Sequence, residues 1–333
     1  MAIRDVEVVI TRETRAVTQA GFGTPMILAT DRNFPYTTFT ELSALAEHFE
    51  PSTRAYQMAN LIFGQTPRPV RLAVYGVEFD PAIDPVEDLI SELNKVAEQD
   101  FYFLLCDRQT EDVIMALSNW VDSRGKLYFY DTDDPTIHET LESDRTISFV
   151  HKNPLSFPAA GWVGVCAPQP PGSITWKFKT INGIEDPGYS TNEIDAIVES
   201  GGNTYVRQGG ILHTYDGRTT SGEWIDVIRS QDFIEARIKE EVFRTLVSVP
   251  KVPYTSAGIA QITSAVESVL QSAFDSGMIA SDEEGQPMYS VTAPSISDIS
   301  PVDRANRVLP DIWFEFQLAG AVHKVKIRGV IRV

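Results

Sequence analysis

Two cysteines in 333 residues, Cys106 and Cys166, are too few for a disulfide framework. Each sits in an apolar run, FYFLLC and WVGVCA, so buried free thiols are expected rather than a single bridge. Long hydrophobic runs are missing as well: no stretch reaches the apolar length of a membrane-spanning helix, so no membrane insertion is expected. The opening MAIRDVEVVITRETR carries charges where a secretory leader is apolar, and a chain made in a reducing cytoplasm is expected. Cations are scarce, 28 Lys and Arg against 46 Asp and Glu, for a formal net charge of −18. Direct nucleic-acid binding through the bulk surface needs a cationic footprint and is not expected here.

Catalytic signatures are equally sparse. The five histidines are His48, His138, His151, His213 and His323, and no pair has metal-ligand spacing. There is no Gly-x-Ser-x-Gly elbow and no P-loop. Gly21-x-Gly23 lacks the third glycine of a dinucleotide fingerprint and reads as a tight turn. Neither a cofactor nor a resident metal is expected, and a non-enzymatic role is the favoured expectation. Trp162, Trp176 and Trp224 read as core residues rather than stacking platforms in so acidic a chain.

What is present is a globular composition, 43% hydrophobic and 22% charged, and a clear alternation of elements. VEVVI and PMILAT read as strands. TELSALAEHF and TRAYQMANLIF read as helices, with Ser52 as a cap for the second. VRLAVYG, FYFLLC, KLYFYD and RTISFVH are uniformly apolar strands. Between them lie a helix opened by Asp84–Pro85–Val86–Glu87 and running through LISELNKVAEQ, a helix from Thr110, and a short helix in PTIHETLES. Apolar strands alternating with helices predict a mainly parallel sheet covered on both faces.

After a proline cluster with a helix across AAGWVGVCA, SITWKFKTI reads as a strand. Ser190 and Glu193 form a capping box, NTYVRQGGILHTYDG a hairpin, and two long helices run from about Asp226 to Val247 and Ser256 to Phe274. The fold class is thus α/β (α+β). The divisions expected are an arm and linker over 1–24, an α/β domain over 25–172, a C-terminal α/β domain over 173–310 and a terminal β hairpin or arm over 311–333.

LYFYDTDDPT is the one candidate catalytic motif. Asp131, Asp133 and Asp134 stand at the C-terminal end of an apolar strand, where open α/β sheets place ligands. Clustered carboxylates there suit Mg²⁺ and phosphoryl chemistry, and the run resembles the nucleophile motif of haloacid-dehalogenase-type phosphatases. A Mg-dependent phosphatase-like hydrolase using Asp131 and Asp133 is therefore the alternative function. No downstream lysine or second acidic pair completes that motif. The plainer reading is a cap, with Asp134 preceding Pro135 at a helix start.

The last stretch, DIWFEFQLAGAVHKVKIRGVIRV, alternates with a period of two. Ile312, Phe314, Phe316 and Leu318 share a face. After a turn at Leu318–Ala321, Val325, Ile327, Ile331 and Val333 share one face and Lys324, Lys326, Arg328 and Arg332 the other. Such a strand either closes an internal sheet, its edge blunted by cations, or reaches a neighbouring molecule. The acids between Val77 and Asp100, opposed only by Lys95, offer a surface that a basic tail on another copy would match.

Several stretches together resemble the tail sheath proteins of contractile phages and phage-tail-like particles. They are VEVVITRETRAVTQAGFGTPMILAT, GSITWKFKTINGI, HTYDGRTTSGEWIDVIRSQDFIEARI, VPYTSAGIAQITSAVESVLQSAFDSGMI and AGAVHKVKIRGVIRV. The resemblance implies a structural subunit whose terminal strands join sheets of neighbouring subunits. It places interface residues at Val6, Val8, Val9 and Ile10 and at Lys324 through Arg328, Ile331, Arg332 and Val333. It further implies self-assembly into stacked six-fold rings around a tail tube, contraction through a cell envelope, and contacts with tube, baseplate and tail terminator proteins. The particle would be a virion tail or tailocin assembled in the host bacterial cytoplasm. The two long helices would lie next to the tube, with Ile234, Ile238, Phe243 and Leu246 packed inward and Glu235, Lys239 and Arg244 available to it.

Overall fold

A computed structural model of the chain describes residues 21–310 and 312–326. The strand expected in VEVVI lies outside them. Strand β1 is Pro25–Ala29 and β2 is Phe34–Phe39, followed by helices α1 (Leu42–Ala46) and α2 (Arg54–Phe63). Then come β3 (Leu72–Gly76), α3 (Val86–Asn94), β4 (Phe103–Cys106), α4 (Glu111–Asp122), β5 (Leu127–Thr132) and β6 (Thr146–Val150). The six strands form one sheet in the order β2-β3-β1-β4-β5-β6, with β2 antiparallel and the rest parallel.

The sheet is mainly parallel because its strands are apolar on both faces and every residue of β1, β3, β4, β5 and β6 is buried. Alternate residues serve different layers. Ile27, Val74, Phe103, Leu105, Phe129 and Phe149 face one core, which includes Met58 and Ile62 of α2. Met26, Leu28, Leu104, Tyr128 and Tyr130 face the other, under α3 and α4. Both cysteines are buried free thiols, one in each core.

Helix α5 (Pro158–Cys166) is apolar on nearly every side and packs inside the first core. Pro158 opens it, and the buried Asp131 carboxylate accepts from Ala159 N at 2.7 Å. A Cβ on Gly164 would lie 2.9 Å from Ile62 Cα, so glycine is what lets α5 approach α2. Trp162 crosses Trp176 edge-on at 5.4 Å, and its Nε1 donates to the Trp176 carbonyl.

The strand expected in SITWKFKTI is not formed. Phe178 has φ of +64°, outside strand geometry, and the segment lies irregularly along the later hairpin through Phe178 N to Thr214 O. Helix α6 (Thr191–Glu199) has the expected Ser190–Glu193 capping box. Strands β7 (Thr204–Gln208) and β8 (Ile211–Tyr215) form the expected hairpin. Three smaller readings also change. Thr53, not Ser52, caps α2. Helix α3 starts after Pro85 without a side-chain cap and stops at Asn94. PTIHETLES makes only one 3-10 turn, Ile137–Thr140.

The long helices α7 (Ile225–Ser248) and α8 (Ser256–Asp275) pair with each other and are followed by β9 (Tyr289–Thr292), α9 (Pro301–Asn306) and β10 (Trp313–Phe316). Helix α7 begins in the sheet's core with Ile225 and Ile228 and continues into a separate apolar cluster, Ile234 with Val266, Leu270 and Ile279. Its exit is fixed by charge. Arg229, 1% exposed, donates to the carbonyls of Cys166, Ala167 and Phe22 at 2.9–3.1 Å. One turn on, Asp232 holds Arg145 through two 2.7 Å bonds and accepts from Tyr102 Oη at 2.6 Å.

Two outcomes are expected. Arg229→Ala leaves the end of α5 unpaired and should cost roughly 3–5 kcal/mol in urea unfolding, with faster hydrogen exchange along α7. Burial pushes the Asp131 carboxyl up to about 7, above its ordinary 3.8. As pH rises the unfolded chain ionises first, so the contribution of Asp131 is full below about pH 4 and is lost toward pH 7. Wild type should lose stability relative to Asp131→Asn between those limits; a difference that stays constant with pH would contradict this.

Candidate assembly interface

The carboxylates at the end of β5 do not assemble a catalytic centre. Asp131 is buried and spoken for by Ala159 N and Gln109 Nε2, while Asp133 is exposed. Asp134 Oδ1 accepts from Thr136 N and Oγ1 in a local turn. Asp131 thus caps α5, and Asp134 is taken up at the turn that leads into Ile137–Thr140. No group of three or more His, Cys, Asp and Glu side chains suited to a metal occurs among the described residues. The phosphatase alternative therefore loses its nucleophile.

The apolar surface left open lies in the C-terminal part. Strands β9 and β10 pair antiparallel, Phe314 opposite Val291 and Phe316 opposite Tyr289. Tyr289, Val291 and Phe316 rest on the α7–α8 cluster, while Trp313 on the opposite face is 70% exposed. No third strand flanks this pair among the described residues. Beside β10 runs a groove of about 500 Å³, lined by Val242 and Leu246 of α7, Ile259 and Ile262 of α8, and Leu309 and Phe314. Phe314 is 40% exposed at its edge. The sequence reading missed this groove. Its signal in the sequence is the apolar VPY between the two long helices and the LP ahead of β10.

The tail departs from expectation. Residues 321–326 are not a strand, so β10 pairs with β9 rather than with the chain that follows it. Ala319 N bonds Met278 O and Leu318 bridges Ile279, which directs the backbone away from a hairpin. Lys324, Val325 and Lys326 are exposed, and neither lysine has an ion pair among the described residues. Val6, Val8, Val9, Ile10, Ile327, Arg328, Ile331, Arg332 and Val333 lie outside the described residues.

On α7, Ile234 is buried and Ile238 packs with it, but Phe243 and Leu246 are exposed on the last turns, beyond the reach of the second cluster. Glu235 and Lys239 are bonded to each other, and Arg244 pairs with Glu241 at 3.0 Å, so their expected availability is reduced. Trp224 is half-buried, not core: Arg218 stacks 3.8 Å over its ring and His323 meets its edge at 4.4 Å. The acids of the 77–100 stretch are mostly surface groups. Glu78, Asp80, Glu87, Asp88 and Glu98 are exposed, while Glu92 pairs with Lys95 and Asp100 with Arg71.

Residues 225–330 match the family described as "E217 tail sheath protein gp31-like, C-terminal domain". No protein of curated function matches the chain in sequence. Among solved structures, a chain of the anti-feeding prophage helical sheath in its contracted state is 17% identical, with a TM-score of 0.74 over 99% of each chain. A chain of the six-fold symmetrised anti-feeding prophage baseplate is 16% identical, with a TM-score of 0.74 over 100% of each. The sheath tail protein Lin1278 from Listeria innocua is 9% identical, with a TM-score of 0.60 over 91% of this chain and 96% of its own. Residues 225–330 are thus similar to the tail sheath gp31-like C-terminal domain, and the chain as a whole carries the fold of contractile sheath proteins.

Proposed function

We propose that this protein is the structural subunit of a contractile sheath, polymerising by strand exchange between copies. The observation that carries this reading is the β9–β10 pair, which no third strand flanks among the described residues and which lies beside a groove of apolar side chains. Two strands alone are marginal in water, and a donated third strand would pair the edge and cover Phe314 and Ile312. The donors are the terminal segments of neighbouring copies, with Val6, Val8, Val9 and Ile10 at one end and Val325, Ile327, Ile331 and Val333 at the other. A head-to-tail contact of this kind propagates a helical array.

The assembly is a stack of six-fold rings around a tail tube, bounded by baseplate and terminator proteins and built in the host cytoplasm. The family match and the likeness to contracted-sheath and baseplate chains support a mechanical role without catalysis. The acidic stretch from Glu78 to Glu98 meets Lys324 and Lys326 of another copy, and Glu235, Lys239 and Arg244 lie on the tube side of α7.

Removing residues 324–333 should abolish tubes in electron microscopy while leaving the subunit folded. The described residues of that segment, Lys324, Val325 and Lys326, are exposed, Val325 to 71%, so their loss removes little burial. The melting temperature should stay within about 2 °C of wild type. A collapsed melting temperature, or tubes that still form, would refute strand donation.

A further inference from the structure

Between Ala319, which is bonded to Met278, and Lys326 the chain is exposed except at His323, which is half-buried. Its imidazole meets the edge of Trp224 at 4.4 Å and the ring of Phe178 at 6.0 Å, and its Nε2 lies 2.6 Å from Thr175 Oγ1. Its Nδ1 is buried and makes no hydrogen bond among the described residues. Everything after it, Lys324 to Lys326, is exposed.

We infer that His323 in its neutral form is a clip that holds the C-terminal segment on its own subunit, and that protonating the ring opens it. The neutral ring with its proton on Nε2 donates to Thr175 Oγ1 and leaves only a lone pair at Nδ1, a small cost. Protonation adds an N–H at Nδ1 with no acceptor, a buried donor left unmade.

The surrounding charges act in the same direction. Lys177 and Lys179 reach His323 from the irregular segment beneath it and Arg218 from the loop after β8. Asp216 is the one anion that favours the charged ring, and Lys177 at 2.7 Å and Arg218 at 3.1 Å already neutralise it. Asp226, at the start of α7, lines the shallow pocket beside Gly320 and Ala321, and Glu223 is exposed one turn before it. Burial first, then these cations, hold the imidazole below its usual value. The released ring takes a proton before the clipped one does, so the clip is intact at neutral pH and weakens as pH falls below about 6.5.

Opening would free residues 320–323, roughly 13 Å of extended chain, for the end that reaches a neighbour. That consequence rests on the strand-donation reading; the clip does not. A free subunit at neutral pH thus keeps the root of its tail against Trp224, which lowers the number of directions in which the tail can search.

The test uses the unassembled full-length subunit, checked by light scattering. A nitroxide is placed at Val325→Cys, the native thiols being buried. The spectrum should be restrained at pH 7.5 and narrow to a mobile line by pH 5, with a midpoint below about 6.5. Trp224 fluorescence should change over the same interval. His323→Asn should be mobile at both pH values. His323→Phe keeps a ring on Trp224 without a titrating nitrogen and should show no step. A label equally mobile in wild type and His323→Asn at pH 7.5 overturns the clip. A step that persists in His323→Phe, as it would if acid loosened the whole subunit, overturns the switch. Neither outcome depends on tube formation, which the truncation tests separately.

Discussion

A single buried guanidinium sets how the two parts of this chain are joined. Arg229 is enclosed in the sheet's core, where a charge is costly, and it is stabilised by three carbonyls, two of them at the buried C-terminal end of α5. That bond set fixes the direction in which α7 leaves the sheet. The Arg145–Asp232–Tyr102 cluster one turn later fixes its rotation. Helix α8 pairs with α7 and β9 packs on α8, so the position of the β9–β10 pair follows from how α7 leaves the helix–sheet body.

The division of labour between the parts is physical. The six-stranded sheet is closed: both faces are covered and its aromatic centre, Phe103, Phe129, Trp162 and Trp176, is packed ring against ring. The large apolar side chains it leaves exposed, such as Val70, Ile83 and Leu155, are scattered along its loops. The C-terminal part is the reverse. Its cluster is small, its sheet has two strands, and Phe243, Leu246, Val308, Trp313 and Phe314 remain exposed. Such a surface is completed by association. A rigid body with an incomplete satellite is the arrangement expected of a subunit that is stable alone and reaches its final packing only in an array.

The enzymatic alternative fails for a reason that sequence spacing does not show. Asp131 sits where α/β enzymes keep a reacting carboxylate, but the chain brings the N-terminus of α5 over it and consumes the group as a cap. Asp133 is exposed at the rim of the small cavity that Asp131 lines, and Asp134 is engaged in its own turn. The same three residues around a water-filled mouth would suit a cation; here one is capping a helix.

The sequence by itself determined the elements whose signals are local. Apolar strands alternating with helices specified a mainly parallel sheet, the Ser190–Glu193 box placed α6, and the prolines around Lys251 bounded α7 and α8 to within a residue or two. Only the tertiary structure decided which alternating segments became strands. SITWKFKTI has the period of a strand, yet Phe178 turns left-handed so that Trp176 can enter the core and the backbone can follow β8. The alternation from Val322 onward is as regular, yet 322–326 finds no partner strand within the described residues. A period of two states which faces a strand would have; it does not supply the neighbour whose backbone makes it one.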